Sequence, residues 1–187
     1  MRVLVVFLVS ILLGGCLSTP TSSSHYLLRS DAQLSDSAMA TGTGVILVSV
    51  DVATYIDQDG LVLESEEGEI QTADYHLWAE PLRHSLMQFM ANEVSASSGK
   101  PVGNGLQAAS VGTQRLLIEI DQLHGTKNGD AVLVAYWQLT QGSGEDKQRS
   151  NYSWSGSRPL SEDGYAALVA AEKQLLIDLA REIGATL

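Results

Sequence analysis

The chain has 187 residues and a formal net charge of −11, from 11 Lys and Arg against 22 Asp and Glu. A body this acidic repels phosphate backbones and anionic headgroups, which argues against nucleic-acid binding and against a polybasic membrane face. The length predicts one domain with a core of its own, and the lone cysteine, Cys16, rules out an internal disulfide.

Arg2 is the single positive charge before an apolar run over residues 3–13, which only Ser10 interrupts. Gly14 and Gly15 follow, and then Cys16. This is the layout of a secretory signal. The run is too short to span a bilayer, which needs roughly 17–25 apolar residues. The order Leu13-Gly14-Gly15-Cys16 resembles a bacterial lipobox. That resemblance implies diacylglycerol on the Cys16 sulfur, cleavage before it and acylation of the new amino group. Several acyl chains, at about 0.8 kcal/mol per buried CH₂, make a stable anchor. The expected organisation is a signal peptide over 1–15, a lipidated leash over 16–24 and a domain over 25–187. Cleavage leaves 187 − 15 = 172 residues and a charge of 10 − 22 = −12. Leu17, rather than Asp, follows the cysteine, which resembles the sorting pattern of outer-membrane lipoproteins.

Residues 17–24 (LSTPTSSS) are polar and aperiodic, and reach at most roughly 25–30 Å when extended. His25-Tyr26-Leu27-Leu28 opens the ordered part, and 31–44 reads as a surface loop. Residues 45–53 (VILVSVDVA) predict a central strand covered on both faces. Asp57-Gln58-Asp59-Gly60 predicts a turn, 61–64 a short strand, and 71–75 a further strand-like piece. Glu64, Glu66, Glu67 and Glu69 read as a solvated charge run. Residues 79–97 predict a helix whose stripe is Leu82, Leu86, Phe89, Met90 and Val94, with Pro81 in the first turn and no side chain suited to cap it. Residues 103–112 read as a loop.

Over 115–124 the chain alternates, with Leu116, Ile118 and Ile120 on one face and Glu119 and Asp121 on the other. Lys127-Asn128-Gly129-Asp130 predicts a hairpin turn into a strand over 131–140. A last strand follows over 147–155. Ser161 to Asp163 are placed to cap a final helix striped by Tyr165, Leu168, Val169, Leu176, Leu179 and Ile183. The order is β-β-α-β-β-β-α. The expected fold is a single-domain α/β sandwich, a mixed sheet of about five strands with two amphipathic helices.

No motif for chemistry is present. The chain has no Gly-x-Ser-x-Gly elbow and no phosphate-cradling Gly-x-x-x-x-Gly-Lys-Ser/Thr loop. His25, His76, His84 and His124 do not pair at metal-ligand spacing, and read as surface or boundary residues. Asp57-x-Asp59-Gly60 resembles the start of a calcium loop, but loop position 12 falls on Gly68. Neither a metal nor a cofactor is expected. Trp78, Trp137 and Trp154 read first as packing residues, with a partner contact as the alternative.

Leu77-Trp78-Ala79-Glu80-Pro81-Leu82 resembles the Trp-Ala-x-Pro-Leu start of the first helix in the ABC-type transport auxiliary lipoproteins, the family of PqiC (YmbA). His25-Tyr26-Leu27-Leu28 is similar to that family's Tyr-x-Leu start, with His25 in place of its first aromatic. The meander after the first helix and Asp163-Gly164-Tyr165 before the last one fit the same order. The resemblance implies an α/β sandwich without catalysis that docks a periplasm-spanning MCE protein (PqiB-like) at the bacterial outer membrane, and through it an inner-membrane component. It leaves room for a homo-oligomer. Cys16 then matches the acylated cysteine, and Tyr26, Trp78, Pro81 and Leu82 are motif or partner residues. The alternative is a periplasmic lipid-binding carrier, which needs a roomy apolar cavity between helices and sheet. A hydrolase with a cryptic site is the least favoured reading.

Overall fold

The computed structural model describes residues 22–32, 44–66, 68–104, 114–142 and 144–187. The expected signal peptide, Cys16, most of the expected leash and most of the two expected loops lie outside them. Among the described residues the order is β1 (Ser24–Tyr26), β2 (Val45–Val52), β3 (Gly60–Glu66), β4 (Glu69–Trp78), α1 (Leu82–Ser98), β5 (Val102–Asn104), β6 (Gln114–Thr126), β7 (Asp130–Gln141), β8 (Gln148–Pro159) and α2 (Tyr165–Thr186). The α/β class is as expected, but the sheet has eight strands rather than about five. The additions are β1, β5 and the full length of β4. The first and last of these fall in stretches read as ordered or strand-like, while β5 falls within an expected loop.

Strand β6 is shared by three neighbours. One of its edges pairs antiparallel with β7 from Arg115 to Gly125. Its other edge pairs parallel with β2 over Gln114 to Ile120, and then with β3 at Gly125 and Thr126. Thus β2 and β3 follow one another along the same edge. A register shift between Ile120 and Gln122 marks the handover. The expected alternation therefore stops at Ile120: Leu123, not Gln122, is the next buried side chain. Beyond β3 come β4 and then β1, while β5 borders β2 and β8 borders β7. The β6–β7 turn lies at Asn128-Gly129, where Gly129 takes φ 80°, a conformation glycine adopts without steric cost.

Both helices lie on one face. α1 rests on β2 and β5, α2 rests on β7, β8 and β6, and the helices pack on each other. All five residues of the expected α1 stripe are buried. They belong to one buried core with Leu47, Leu116, Ile118, Leu133 and Leu139 of the sheet. Strand β2 was expected to be covered on both faces, but Asp51 is exposed and the strand's other outward positions are only half-buried. Gly184 permits the close helix approach: a Cβ there would lie 2.5 Å from Ser97 Oγ, which donates to the Ala180 carbonyl at 2.8 Å. α1 ends on Gly99 at φ 68°, whose N–H donates to the Ser95 carbonyl. The start of α2 differs from expectation. Gly164, not one of Ser161 to Asp163, is its N-cap, and no side chain caps it.

Glu172 breaks the apolar stripe of α2. It is 2 % exposed, and its Oε2 has no hydrogen-bond partner among the described residues. Burial pushes its carboxyl up to about 8 from an ordinary 4.5. The folded state therefore holds this proton more tightly than the unfolded chain does. The group's stabilisation is full below the unfolded value and is lost as pH rises through about 8. We expect the wild type to lose about 1–3 kcal/mol relative to Glu172→Gln between mildly acidic and mildly alkaline pH. Urea midpoints across that range check this, and parallel pH profiles for the two proteins would refute it.

Candidate functional site

Tyr26, Trp78, Pro81 and Leu82 do come together, at the sheet edge where α1 starts. β1 runs parallel to the end of β4 with Tyr26 opposite Trp78. The Ala79 N–H donates to the Tyr26 carbonyl at 2.8 Å, and the Trp78 N–H donates to the Asp59 carbonyl at 2.7 Å. Trp78 and Leu82 are buried in the core, so neither offers a partner surface. Pro81 is the N-cap of α1 rather than part of its first turn, with φ −50° and ψ 122°. Its carbonyl accepts from the N–H groups of His84 and Ser85. Proline suits the place because it has no N–H to leave unpaired.

Side chains around this corner bind it to both helices. The Arg29 guanidinium donates to Glu80 Oε1, and the Ser85 hydroxyl donates to Glu80 Oε2 at 3.1 Å. Hydrogen bonding from Arg29 holds the Glu80 carboxyl below its ordinary range. The Tyr26 hydroxyl pairs with His76 Nδ1 at 2.9 Å. His76 in turn stacks on Tyr165, the first residue of α2, with ring centroids 4.0 Å apart. The Tyr26 and Asp163-Gly164-Tyr165 motifs, 139 positions apart (165 − 26), thus meet through one imidazole. Sequence reasoning missed His76 because no local pattern sets it apart. Together these residues join β1 to the body of the domain.

His124 departs from its expected surface or boundary position and is buried under the 53–59 turn. Its Nδ1 pairs with the Tyr55 hydroxyl at 3.0 Å, and its Nε2 lies 3.9 Å from Glu64 Oε2. Burial holds the imidazole below its ordinary pKa, opposed by Glu64. Burial also pushes the Tyr55 hydroxyl up to about 12, aided by Asp121. The pair reads as a satisfied polar contact. Trp137 is buried, donates to Thr186 Oγ1 at 3.2 Å and stacks on Tyr152. Trp154 is half-buried against the core.

The face of the sheet opposite the helices is open. Residues on β6 and β7 that alternate with the buried set point outward there, and Leu117 and Tyr136 are 36 % and 46 % exposed. With Asp51, Glu119, Gln138 and Asn151 they line a hollow of about 380 Å³. A second hollow, of about 540 Å³, lies between the outer sides of α1 and α2, at Glu93, Ser97, Ile177, Arg181 and Gly184. Neither lies between the helices and the sheet, where Leu86, Met90, Leu116 and Leu176 are wholly buried. No helix among the described residues is long and apolar enough to cross a membrane.

A family model described as "ABC-type transport auxiliary lipoprotein component" matches residues 26–184. The solved structure of an uncharacterized protein superposes with a TM-score of 0.73 at 19 % identity, covering 88 % of this chain and 98 % of the other. A protein of Xanthomonas campestris superposes with a TM-score of 0.65 at 18 % identity, covering 87 % and 93 %. At these identities the likeness is one of fold. No curated protein matches the chain by sequence.

The buried setting of Trp78 gives a prediction. Trp78→Ala should lower stability by about 3–5 kcal/mol, whereas Tyr26→Phe, which removes only the hydroxyl bonded to His76, should lower it by about 0.5–1.5 kcal/mol. Urea unfolding measures both. A Trp78→Ala protein as stable as the wild type would contradict the packing role.

Proposed function

We propose, because this chain belongs to the family of ABC-type transport auxiliary lipoproteins, that it is the lipid-anchored docking component of an MCE-type intermembrane lipid transport system. The observation that carries this reading is the family match over residues 26–184 directly downstream of Leu13-Gly14-Gly15-Cys16. Cys16 carries the acyl chains, Leu17 directs the protein to the outer membrane, and the domain faces the periplasm. It meets the periplasm-spanning MCE protein there, and its role is to hold that partner rather than to catalyse a reaction. Among the described residues, Leu86, Met90, Leu116 and Leu176 pack without exposure between helices and sheet, which supports holding over carrying, since a carried acyl chain needs a cavity there. The acidic charge favours a partner with a basic contact surface.

The anchor is tested in cells of a Gram-negative host. Labelled palmitate should enter the wild type, and the wild type should sediment with outer-membrane fractions. Cys16→Ala should lose the label and appear in the soluble periplasmic fraction, while Leu17→Asp should move the protein to the inner membrane. Docking is tested by co-purification of the cognate MCE protein with the wild type. Unlabelled wild type refutes the anchor, and absence of the MCE protein from the purified material refutes the docking role.

A further inference from the structure

We infer that the open face of the sheet, centred on Leu117, Glu119 and Tyr136, is the docking surface for a basic segment of the partner protein. The inference rests on the docking role proposed above and names the surface that performs it.

The first argument is the register. β2 and β6 pair parallel with Asp51 directly opposite Glu119. Like charges opposite one another on neighbouring strands destabilise a sheet. Asp51 has a partner, since Arg83 donates to its Oδ1 at 2.9 Å. Among the described residues no cation pairs with Glu119, although Arg115 stands on the same face of the same strand. A cation brought from outside would relieve this repulsion.

The second argument is the apolar surface beside the acids. Tyr136 is the register partner of Glu119, and Leu117 pairs with Ser49 and Gln138. Both large side chains are substantially exposed beside a hollow of about 380 Å³. Gln138 Nε2 donates to Asn151 Oδ1 at 2.8 Å, which fixes the two amides that form its side. A tyrosine ring next to an unpaired carboxylate suits an arginine or lysine: the ring face attracts the cation and the carboxylate pairs with it. Tyrosine is also enriched among residues that dominate binding energy.

The probe is the purified periplasmic region of the cognate MCE protein, with binding measured to the full-length protein in detergent. Tyr136→Ala and Glu119→Lys should each weaken binding at least about tenfold, whereas Gln88→Lys on the exposed side of α1 should stay within about twofold of wild type. Wild-type affinity should fall between about 0.05 and 0.5 M salt, and the double variant Asp51→Asn, Glu119→Gln should show a flatter dependence. These side chains are exposed, so Tyr136→Ala should melt close to the wild type and Glu119→Lys no lower than it, since that change relieves the repulsion from Asp51. If the wild type binds and the face variants bind equally well, this inference is overturned and the docking role stands. If the wild type does not bind, the docking role fails and the inference with it. If the variants instead alter sedimentation of the protein alone, a second copy covers the face and the inference is overturned.

Discussion

The fold depends on how one strand divides its hydrogen bonds. β6 gives one whole edge to β7 and splits the other between β2 and β3, with its register shift at the point of division. The shift lets the strand turn while keeping an apolar side chain toward the helices on both sides of the break, Ile120 before it and Leu123 after it. Without it, every side chain beyond the division would exchange faces. His124 and Gln122 would then enter the apolar core, and Leu123 would leave it. The other sheet residues follow: β7 and β8 copy the register of β6, and β3 carries β4 and β1 outward from its second half.

The helix layer closes over this sheet through small residues. Ser97 and Gly184 allow α1 and α2 to approach closely, so that one layer covers strands on both sides of β6. Glu172 lies within this layer as a buried carboxyl without a partner on Oε2. It departs from the otherwise consistent apolar pattern of α2. Its place on the helix is the same as that of the leucines around it, so only its chemistry makes it different.

Much of this was legible because it is local. The helical stripes and the alternation over Leu116 to Ile120 repeat over enough residues to outweigh chance, and Asn128-Gly129 is a turn cue in itself. Three-residue strands do not repeat at all, so β1 and β5 are set by the neighbours they join and not by their own sequence. β4, with Glu69, Gln71, Thr72 and Asp74 among its residues, presents a largely polar surface at the sheet's far side and shows no clean alternation. Trp78, Pro81 and Leu82 were identified from a motif, but His76, which links Tyr26 to Tyr165, gains its meaning only when the two ends of the chain meet. The opposition of Asp51 and Glu119 is of the same kind, since cross-strand register is fixed by the whole sheet.

The two faces of the domain treat charge differently. On the helix side several acids are paired, Glu80 by Arg29, Asp31 by Lys173, and Asp178 by both Arg158 and Arg181, while among the described residues Glu93 and Glu182 meet no cation. Exposed pairs of this kind add little stability. On the open sheet side Glu119 stands against Asp51 with only Arg83 reaching the pair. The same side exposes Leu117 and Tyr136. Solubility alone would favour charge spread evenly and apolar side chains kept scattered. Here unmatched acid and exposed aromatic surface coincide, on a rigid sheet whose first strand is stitched to the body by Tyr26, His76 and Tyr165.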